Sequence, residues 1–336
     1  MKAYFFIISS GNSTTSYANT LLALELKNLG YNIDIVKDND RKKSILNNPD
    51  CDAIFFQKTI QCPLHTHKYI SHLKNKVHLI HIDNDFQDMG SKEKIKTLKL
   101  SDLVIVCTNK HKKALRSFTS SPIEVVSCMI DSQNYSYVSI DEKHNNPLII
   151  SWQQDCADAY TKDLLMIATP LNKLHELYKI QLNLYGWHMG KDYRDLRHKI
   201  DKIIPFATFI PHKPLNEYLT ELVPKIANSD IIIMPYIDHP GRWGKSAFGL
   251  KRLMLLGLPA VVSDTEHNRT LITNGENGFL ASTPEQWYNS LESLILDKSL
   301  RQKFSINSKQ IIDTKYSNSI IIKQFIASVN KHINLF

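Results

Sequence analysis

Short apolar segments alternate with longer amphipathic segments along this chain, and the alternation runs through two successive series. The apolar segments of the first series are residues 3–8, 31–36, 53–57, 77–82 and 103–107, and those of the second are residues 148–152, 181–185, 207–210, 230–235, 259–263 and 278–281. Strands that are apolar on both faces and separated by helices form parallel sheets covered on both sides. The sequence therefore predicts an α/β protein with two tandem Rossmann-like, doubly wound domains that face a cleft.

A polar stretch without an apolar period separates the two series and ends at Asn145-Asn146-Pro147. We predict an amino-terminal domain over residues 1–135, a linker over 136–147, a carboxy-terminal domain over 148–318 and a final helix over 319–336. The length of 336 residues suits two domains of ordinary size. Since open α/β sheets bind ligands at the carboxyl ends of their strands, the cleft is the expected site.

Charge and cysteine content narrow the class of protein. The formal net charge is +8, which suits an anionic partner such as a nucleoside diphosphate, a lipid surface or a nucleic acid. The sequence has no aromatic-interleaved or groove-reading element, so no nucleic-acid partner is predicted. Five scattered cysteines without a CxxC pair indicate reduced thiols, and no export signal or membrane span is found. These features predict a cytoplasmic protein.

The stretch from Ser229 to Ser282 carries the most specific pattern. An apolar strand opens with Asp230 and ends at Pro235, and a helix leads to Gly257-Leu258-Pro259 and then to Asn274-Gly275-Glu276-Asn277-Gly278-Phe279. At matching spacing these residues resemble the nucleotide-sugar half of GT-B glycosyltransferases, in particular the large retaining, family 4-like group. The tail is similar to that family too, at Glu285, Trp287, Leu291, Leu294, Asp297 and Leu300-Arg301.

The resemblance covers residues 148 to 336 well and the first half by architecture and Asp102-Leu103-Val104-Ile105. It implies a nucleoside-diphosphate sugar donor bound by residues 150–281 and an acceptor bound by residues 1–135. It also implies that the helix over residues 319–336 returns to the amino-terminal domain. The sugar donor is a substrate, so the resemblance implies no cofactor.

The loop Gly241-Arg242-Trp243-Gly244-Lys245-Ser246 is a candidate cradle for the donor diphosphate. A helix beginning near Ser246 would direct free N–H groups and a partial positive charge at the loop. Arg242 and Lys245 would add full charges, and glycines at 241 and 244 would allow close approach of the backbone. The alternative is a solvated cap with two ordinary surface cations.

Two positions depart from the family. Many retaining members carry two glutamates eight residues apart, the second of which binds the donor ribose, and here those positions are Gly244 and Arg252. A guanidinium group cannot accept a hydroxyl proton, so Arg252 either binds phosphate or a carboxylated sugar or faces solvent. Trp152-Gln153-Gln154 replaces an expected glycine-arginine, and Lys162 is the one candidate for the family's lysine.

Two segments of the first half resemble site regions of the family. Gly11, Asn12 and Ser13 lie where the family places a glycine-rich loop for acceptor or phosphate. His81, Asp83 and Asp85 follow the fourth strand, where the family has a histidine or aspartate at the sugar. An inverting enzyme needs such a group as general base, whereas a retaining enzyme relies on the leaving phosphate. The alternative is that the aspartates cap the next helix and His81 is a hydrogen-bonded strand residue.

No residue set predicts a metal site. Asp83 and Asp85 offer two hard oxygen ligands, which are too few. Cys62, His65 and His67 lack a second pair to complete a zinc pattern. Basic residues in excess near residues 92–116 suit an anionic membrane surface or, alternatively, a solvated helix face; they are Lys92, Lys94, Lys96, Lys99, Lys110, Lys112, Lys113 and Arg116.

The sequence thus predicts a cytoplasmic glycosyltransferase that uses a nucleotide sugar to extend a bacterial surface glycan or its lipid-linked precursor. The basic face makes peripheral membrane contact an expectation. Metal-independent transfer is expected, and the nearest resemblance favours the retaining course. The alternatives are a non-catalytic GT-B protein that binds a glycan or a partner, and a GT-B nucleotide-sugar epimerase.

Overall fold

The computed structural model describes residues 3–7, 14–37, 50–57, 71–83, 91–243 and 245–336. These residues form two six-stranded sheets in which neighbouring strands pair in parallel. The first sheet contains β1 (Ala3–Ile7), β2 (Asn32–Val36), β3 (Ala53–Gln57), β4 (His78–Asp83), β5 (Leu103–Val106) and β6 (Ile123–Val125). The second contains β7 (Ile149–Gln153), β8 (Gln181–Trp187), β9 (Ala207–Pro211), β10 (Ile231–Met234), β11 (Ala260–Ser263) and β12 (Phe279–Ala281).

Helices occupy most connections between the described strands, as parallel pairing requires. They are α1 (Thr14–Asn28), α2 (Lys92–Leu100), α3 (Asn109–Leu115), α4 (Thr161–Leu165), α5 (Ala168–Tyr178), α6 (Arg194–Ile203), α7 (Leu215–Glu217), α8 (Val223–Ala227), α9 (Phe248–Leu255), α10 (Pro284–Leu296), α11 (Lys298–Ile311) and α12 (Asn318–Asn330). Within the described ranges, each helix is too short or too polar to cross a lipid bilayer.

The strand orders locate a switch point in each sheet. The first sheet has the order β2-β1-β3-β4-β5-β6, and the second has the order β12-β11-β10-β7-β8-β9. The connections change direction between β1 and β3 in the first sheet and between β7 and β10 in the second. Ligands of doubly wound sheets bind at the carboxyl ends of the strands that flank such a point. The predicted fold, two Rossmann-like α/β domains, is confirmed.

Two compact units divide the chain. One consists of Met1–Asp131, Asp238–Ser246 and Tyr316–Phe336, and the other of Ser132–Ile237 and Ala247–Lys315. The division differs from the predicted domains at several places. The first unit ends four residues before residue 135, and the loop from Asp238 to Ser246 groups with the first unit although the strand and helix beside it belong to the second.

The core of the first unit includes the end of the chain. Tyr4, Phe6 and Phe55 from the sheet pack in one cluster with Phe325 and Val329 of α12. Phe6 and Phe55 stack with their ring centroids 4.5 Å apart. The final helix therefore covers the sheet whose first strand begins at Ala3. It forms part of the first unit's core.

A large apolar cluster lies in the core of the second unit. Trp152, Trp187 and Trp287 are fully buried in it, together with aliphatic side chains of β7, β8 and β10. Each fully buried apolar side chain contributes about 1.5–3 kcal/mol relative to an exposed one, so this cluster is a main source of the unit's stability.

The segment predicted as a linker packs against the second unit. Ile140 is 1% exposed, the backbone N–H of Val138 donates to the carbonyl of Leu256 at 3.2 Å, and the Lys143 ammonium donates to the carbonyl of Ser229 at 2.6 Å. Residues 136–147 are thus part of the second unit. This segment has no apolar period because single side chains, rather than one face of a helix or strand, make the contacts.

Three helical stretches of the second unit are interrupted or irregular. Residues 161–178 form two helices, α4 and α5, and residues 215–227 contain a π-helical turn at Tyr218–Leu222. A second π turn, Ile312–Tyr316, follows α11. Strand β6 was not predicted, because its three residues are too few to show an alternation.

Candidate functional site

The switch point of the second sheet is held by two buried polar side chains. Asp163 of α4 accepts a hydrogen bond from the backbone N–H of Ile237 at 2.8 Å, and the hydroxyl of Ser263 accepts one from the N–H of Tyr236 at 2.7 Å. The side chains of Asp163 and Ser263 are buried, so both bonds are shielded from water. They fix the chain where it leaves β10, at the edge where a ligand is expected.

Asp163 was not among the predicted site residues. The sequence does contain a hint of its role, because this carboxylate directly precedes Leu164 and Leu165 in an apolar part of the helix. Buried carboxylates are found where they accept specific hydrogen bonds. The backbone partner, 74 residues away in sequence, could not be inferred from the pattern.

Helix α9 begins against the same edge. A Cβ atom added to Gly249 would lie 3.8 Å from Gln153 Oε1 at the end of β7 and 3.8 Å from Met234 Cε at the end of β10. Ala247 precedes the helix in the left-handed conformation, with φ of 48°, and provides no side-chain cap. The helix therefore starts at Phe248, two residues later than predicted. Its first turn carries backbone N–H groups without a capping side chain, which favours an anion nearby.

Arg252 lies inside the second unit. Its side chain is 4% exposed, and its guanidinium carbon lies 4.7 Å, 5.0 Å and 4.9 Å from the ring centroids of Tyr135, Tyr218 and Phe248. It also donates to the Tyr135 hydroxyl. The alternative that Arg252 faces solvent is wrong. The guanidinium instead joins residues before β7 to α9 through cation–π contacts, which are worth up to about 2 kcal/mol each when desolvated.

Lys162, the candidate for the family's lysine, is exposed on α4. It stands next to buried Asp163, on the helix that fixes the switch point. Its role in donor binding stays a prediction.

The candidate diphosphate loop is anchored within the first unit. The Thr108 hydroxyl, which caps α3, also donates to the Trp243 carbonyl at 2.6 Å. Lys110 lies 4.8 Å over the Trp243 ring and pairs with Asp238. Ser246 accepts a contact from the Cys128 thiol at 3.0 Å. These contacts hold the loop in a defined path.

Arg242 and Lys245 lie in two consecutive turns of this loop. Pro240–Arg242 forms a short 3₁₀ turn, and the backbone N–H of Lys245 donates to the carbonyl of Arg242 at 3.0 Å. Both side chains are partly exposed, as a phosphate-binding pair requires. A solvated pair of cations has the same exposure, so the cradle stays a prediction.

His81 is a buried strand residue. Its side chain is fully buried on β4 and stacks on Phe56 with ring centroids 4.9 Å apart. Burial lowers the pKa of its imidazole to about 4, because the charged form is desolvated. Among the described residues no hydrogen-bond partner reaches either ring nitrogen. The ring is thus a neutral group in the core of the first unit.

Asp83 is a buried ion-pair partner. Its carboxylate is 1% exposed and lies 2.9 Å from the Lys94 ammonium and 3.4 Å from His111 Nε2. Burial alone would raise the pKa of Asp83, but Lys94 and His111 together hold the pKa well below its ordinary value. A carboxylate held by two donors and hidden from solvent is poorly placed to take a proton from an acceptor hydroxyl.

The remaining predicted residues lie outside the described ranges. They are Gly11, Asn12, Ser13, Asp85 and Gly244 of the predicted sites, and Cys62, His65 and His67 of the rejected zinc pattern.

Lys94 was predicted to be part of the basic face over residues 92–116, but it is buried. Its side chain is 3% exposed and pairs with Asp83, so it does not belong to a surface that could meet a membrane. Lys92, Lys96 and Lys99 of α2 are exposed, as are Lys113 and Arg116.

The segment over residues 274–279, which follows β11, forms a turn that is stabilised by its own side chains. The Asn277 side chain accepts from the backbone N–H of Thr273 at 2.7 Å and donates to the carbonyl of Leu271 at 2.9 Å. The Asn274 side chain accepts from the N–H of Leu280 at 2.9 Å, and Gly275 has a φ of +80°. Asparagine and glycine are thus required here by the turn that precedes β12.

Lys143 provides a pH-dependent element of the second unit. Burial lowers the pKa of its ammonium to about 8, although the neighbouring Asp230 opposes this shift. The unfolded chain therefore binds more protons than the folded chain between about pH 8 and pH 10.5, and stability rises with pH through that window. We expect a gain of about 2 kcal/mol between pH 7.5 and 9.5.

The measurement is urea unfolding at those two pH values for the wild type and for Lys143→Met. The variant removes the titrating group, so the difference between the two proteins isolates it from the surface lysines and tyrosines. Equal pH dependence in both proteins would contradict the assignment.

The comparisons with known proteins agree with this architecture. Residues 157–297 match the family model described as glycosyl transferases group 1. Sucrose-phosphate synthase from Thermosynechococcus elongatus is similar with a TM-score of 0.75 and 11% identity, covering 98% of this chain and 99% of that one. The Anabaena protein HepE, in complex with UDP and glucose, has a TM-score of 0.72 and 13% identity over 98% and 100%.

The lipopolysaccharide outer core galactosyltransferase WaaB is also similar, with a TM-score of 0.65 and 14% identity over 99% of this chain and 100% of that one. No curated protein sequence matches the chain. At these identities the structural likeness establishes the GT-B fold, and the family match covers residues 157–297, which is less than half of the chain. The resemblance read from residues 229–282 is confirmed.

Proposed function

We propose that this chain is a glycosyltransferase that moves a sugar from a nucleoside diphosphate to a glycan or lipid-linked acceptor of a bacterial surface polysaccharide. The observation that carries the proposal is the switch point between β7 and β10, held by Asp163 and Ser263 inside the segment that matches group 1 glycosyl transferases. A switch point of this type is where doubly wound sheets bind nucleotides. A similar protein, HepE, is solved with UDP and glucose, so a UDP-sugar is the first donor to test.

Arg242, Lys245 and Lys162 are the proposed contacts with the donor diphosphate. All three side chains reach solvent at least in part. Charge-assisted hydrogen bonds to phosphate are the strong class of such contacts. Arg252 has no proposed direct contact, since its guanidinium is enclosed by three aromatic rings.

The burial of His81 and Asp83 favours the retaining course. An inverting reaction needs an accessible base, and these two described candidates are hidden from solvent. A retaining reaction uses the leaving phosphate instead. The anomeric configuration of the product, measured by NMR, tests this point, and an inverted product would contradict it.

The first experiment is a thermal-shift and calorimetric screen against UDP, GDP, ADP, dTDP and CMP. A nucleotide that binds the folded chain raises its melting temperature. We expect UDP to bind, and Arg242→Ala and Lys245→Ala each to weaken that binding about tenfold or more, since a hydrogen bond to a charged group contributes about 1.5–3 kcal/mol.

Arg194→Ala and Lys202→Ala are the matched controls. Both residues are exposed on α6, so each control removes the same kind of charge from the same protein without touching the candidate loop. Unchanged nucleotide affinity in Arg242→Ala and Lys245→Ala would contradict the assignment of this loop as the diphosphate-binding site. Silence toward every nucleotide, with the fold intact, would favour a non-catalytic GT-B protein, and conversion of a nucleotide sugar without any acceptor would favour an epimerase.

A further inference from the structure

A cysteine, an aspartate and a histidine converge at the carboxyl ends of β7 and β8. Cys156 and Asp158 follow β7, and His188 directly follows β8. The His188 Nδ1 atom lies 2.6 Å from Asp158 Oδ2 and 4.0 Å from the Cys156 sulfur. One ligand atom from each of the three residues lies within 4.8 Å of the other two.

The geometry does not suit a nucleophile with its base. In a cysteine–histidine–aspartate arrangement the thiol and the carboxylate must address opposite nitrogens of the imidazole. Here the Cys156 sulfur and Asp158 Oδ2 both approach Nδ1 of His188. Three atoms directed at one point are instead what a bound cation requires.

Asp158 has unused coordinating capacity. Its side chain is 6% exposed. Oδ2 accepts from the backbone N–H of His188 at 3.1 Å as well as meeting its ring. Oδ1 is buried and has no hydrogen-bond partner among the residues that the structure describes. A buried carboxylate oxygen without a donor is costly unless a cation or water satisfies it.

The set of donor atoms selects the class of ion. Thiolate sulfur, imidazole nitrogen and carboxylate oxygen are the ligands of zinc, at about 2.3, 2.0–2.1 and 2.0–2.2 Å. Two such ligands on one ion lie at most about 4.4 Å apart, and both measured separations from Nδ1 satisfy this limit. Magnesium and calcium prefer oxygen ligands alone.

A fourth ligand is within reach. His212 follows β9, and its ring is nearly parallel to that of His188, with centroids 5.2 Å apart and an angle of 17°. Its backbone N–H donates to the Trp187 carbonyl at 2.8 Å, which fixes its distance from β8, while its side chain is exposed and can turn. Tetrahedral sites with three protein ligands take a water or a fourth side chain.

We propose that Cys156, Asp158 and His188 form a binding site for a divalent ion of the zinc type, with His212 as the fourth ligand. The ion replaces the proton shared between Asp158 and His188 and ties the ends of three neighbouring strands together. A coordinating imidazole is neutral, so His188 carries its ring proton on Nε2 when the ion is bound, and the Cys156 thiol proton is released to solvent. The proposal does not rest on transferase activity and assigns the ion no step in it.

The test uses the full chain without an affinity tag and freed of metal. Zn²⁺ binding is measured by competition with a chromophoric chelator, and Co²⁺ binding by its absorption spectrum. We expect one ion per chain, a rise in melting temperature with Zn²⁺, and a sulfur-to-cobalt charge-transfer band. Cys156→Ser should lose the band and weaken Zn²⁺ binding at least tenfold, since even partners outside the first ligand shell contribute tenfold to a hundredfold.

Cys51→Ser is the matched control. Burial, with Asp52 and Asp50 nearby, raises the pKa of the Cys51 thiol to about 12, so this cysteine is a poor ligand and its removal should leave Zn²⁺ affinity unchanged. His212→Ala should weaken binding less than His188→Ala. Asp158→Asn keeps the size of the side chain and serves if His188→Ala does not fold.

Equal Zn²⁺ affinity in the wild type, Cys156→Ser and Asp158→Asn would overturn the proposal. So would the absence of Zn²⁺ binding by the folded wild type at neutral pH. A Co²⁺ band that survives Cys156→Ser but disappears in Cys51→Ser would place the site elsewhere and overturn it as well.

Discussion

Replacing Gly186 by alanine is expected to destabilise the second unit by about 2–5 kcal/mol. Gly186 lies in β8 with a φ of +95°, and a Cβ atom there would lie 1.7 Å from the Gln154 carbonyl oxygen. The left-handed backbone costs a residue with a side chain about 1–2 kcal/mol, and the forced shift of a neighbouring backbone about 1–3 kcal/mol more. Urea unfolding followed by tryptophan fluorescence measures the loss, because three of the four tryptophans are buried in this unit.

Gly275→Ala separates the two causes. Gly275 lies in the same unit with a φ of +80°, and an added Cβ would meet nothing within 4 Å. The control should therefore lose only the backbone contribution, about 1–2 kcal/mol. Equal losses in the two variants would show that the close approach of residues 154 and 186 is not what requires glycine.

Replacing Asp83 by leucine is expected to cost about 3–5 kcal/mol of stability in the first unit. The substitution takes the carboxylate away from Lys94, which is 3% exposed, and from His111, which is fully buried. Breaking a buried pair by removing one partner leaves a desolvated charge, whereas removing both partners is often close to neutral. The double variant Asp83→Leu/Lys94→Met should recover most of the loss in a calorimetric melt.

Asp83→Asn distinguishes this assignment from the predicted catalytic one. The amide has the size of the carboxylate but no charge, so a structural role predicts a lower melting temperature together with any loss of turnover. A variant as stable as the wild type that binds nucleotide but does not turn over would instead make Asp83 a general base.

The fold could be predicted because most of the strands are marked by a local run of apolar residues. Residues 53–56 and 103–107 are apolar throughout, as central parallel strands are, and the observed strands Ala53–Gln57 and Leu103–Val106 follow them closely. The π turns at Tyr218–Leu222 and Ile312–Tyr316 leave the apolar period nearly unchanged, so the sequence pattern could not reveal them.

The roles of the site residues were harder to predict from the sequence because they depend on partners that are distant along the chain. In the sequence, Asp83 is a carboxylate at the end of a strand. Its contacts with Lys94 and His111 are formed only in the folded protein. Arg252 departs from the family's glutamate, but its aromatic partners Tyr135 and Tyr218 lie 117 and 34 residues away along the chain. Cys156 and His188 are 32 residues apart, a spacing that matches no short metal motif.

The return of the last helix affects how the chain folds during synthesis. Tyr4 and Phe6 are synthesised long before Phe325 and Val329, which are part of their apolar cover. On the ribosome the first sheet therefore keeps part of its apolar face open until α12 has emerged, while the second unit, which precedes α12 in the chain, can close earlier. Such a nascent sheet is the kind of exposed surface that holding chaperones bind, and a prematurely terminated chain would keep it open.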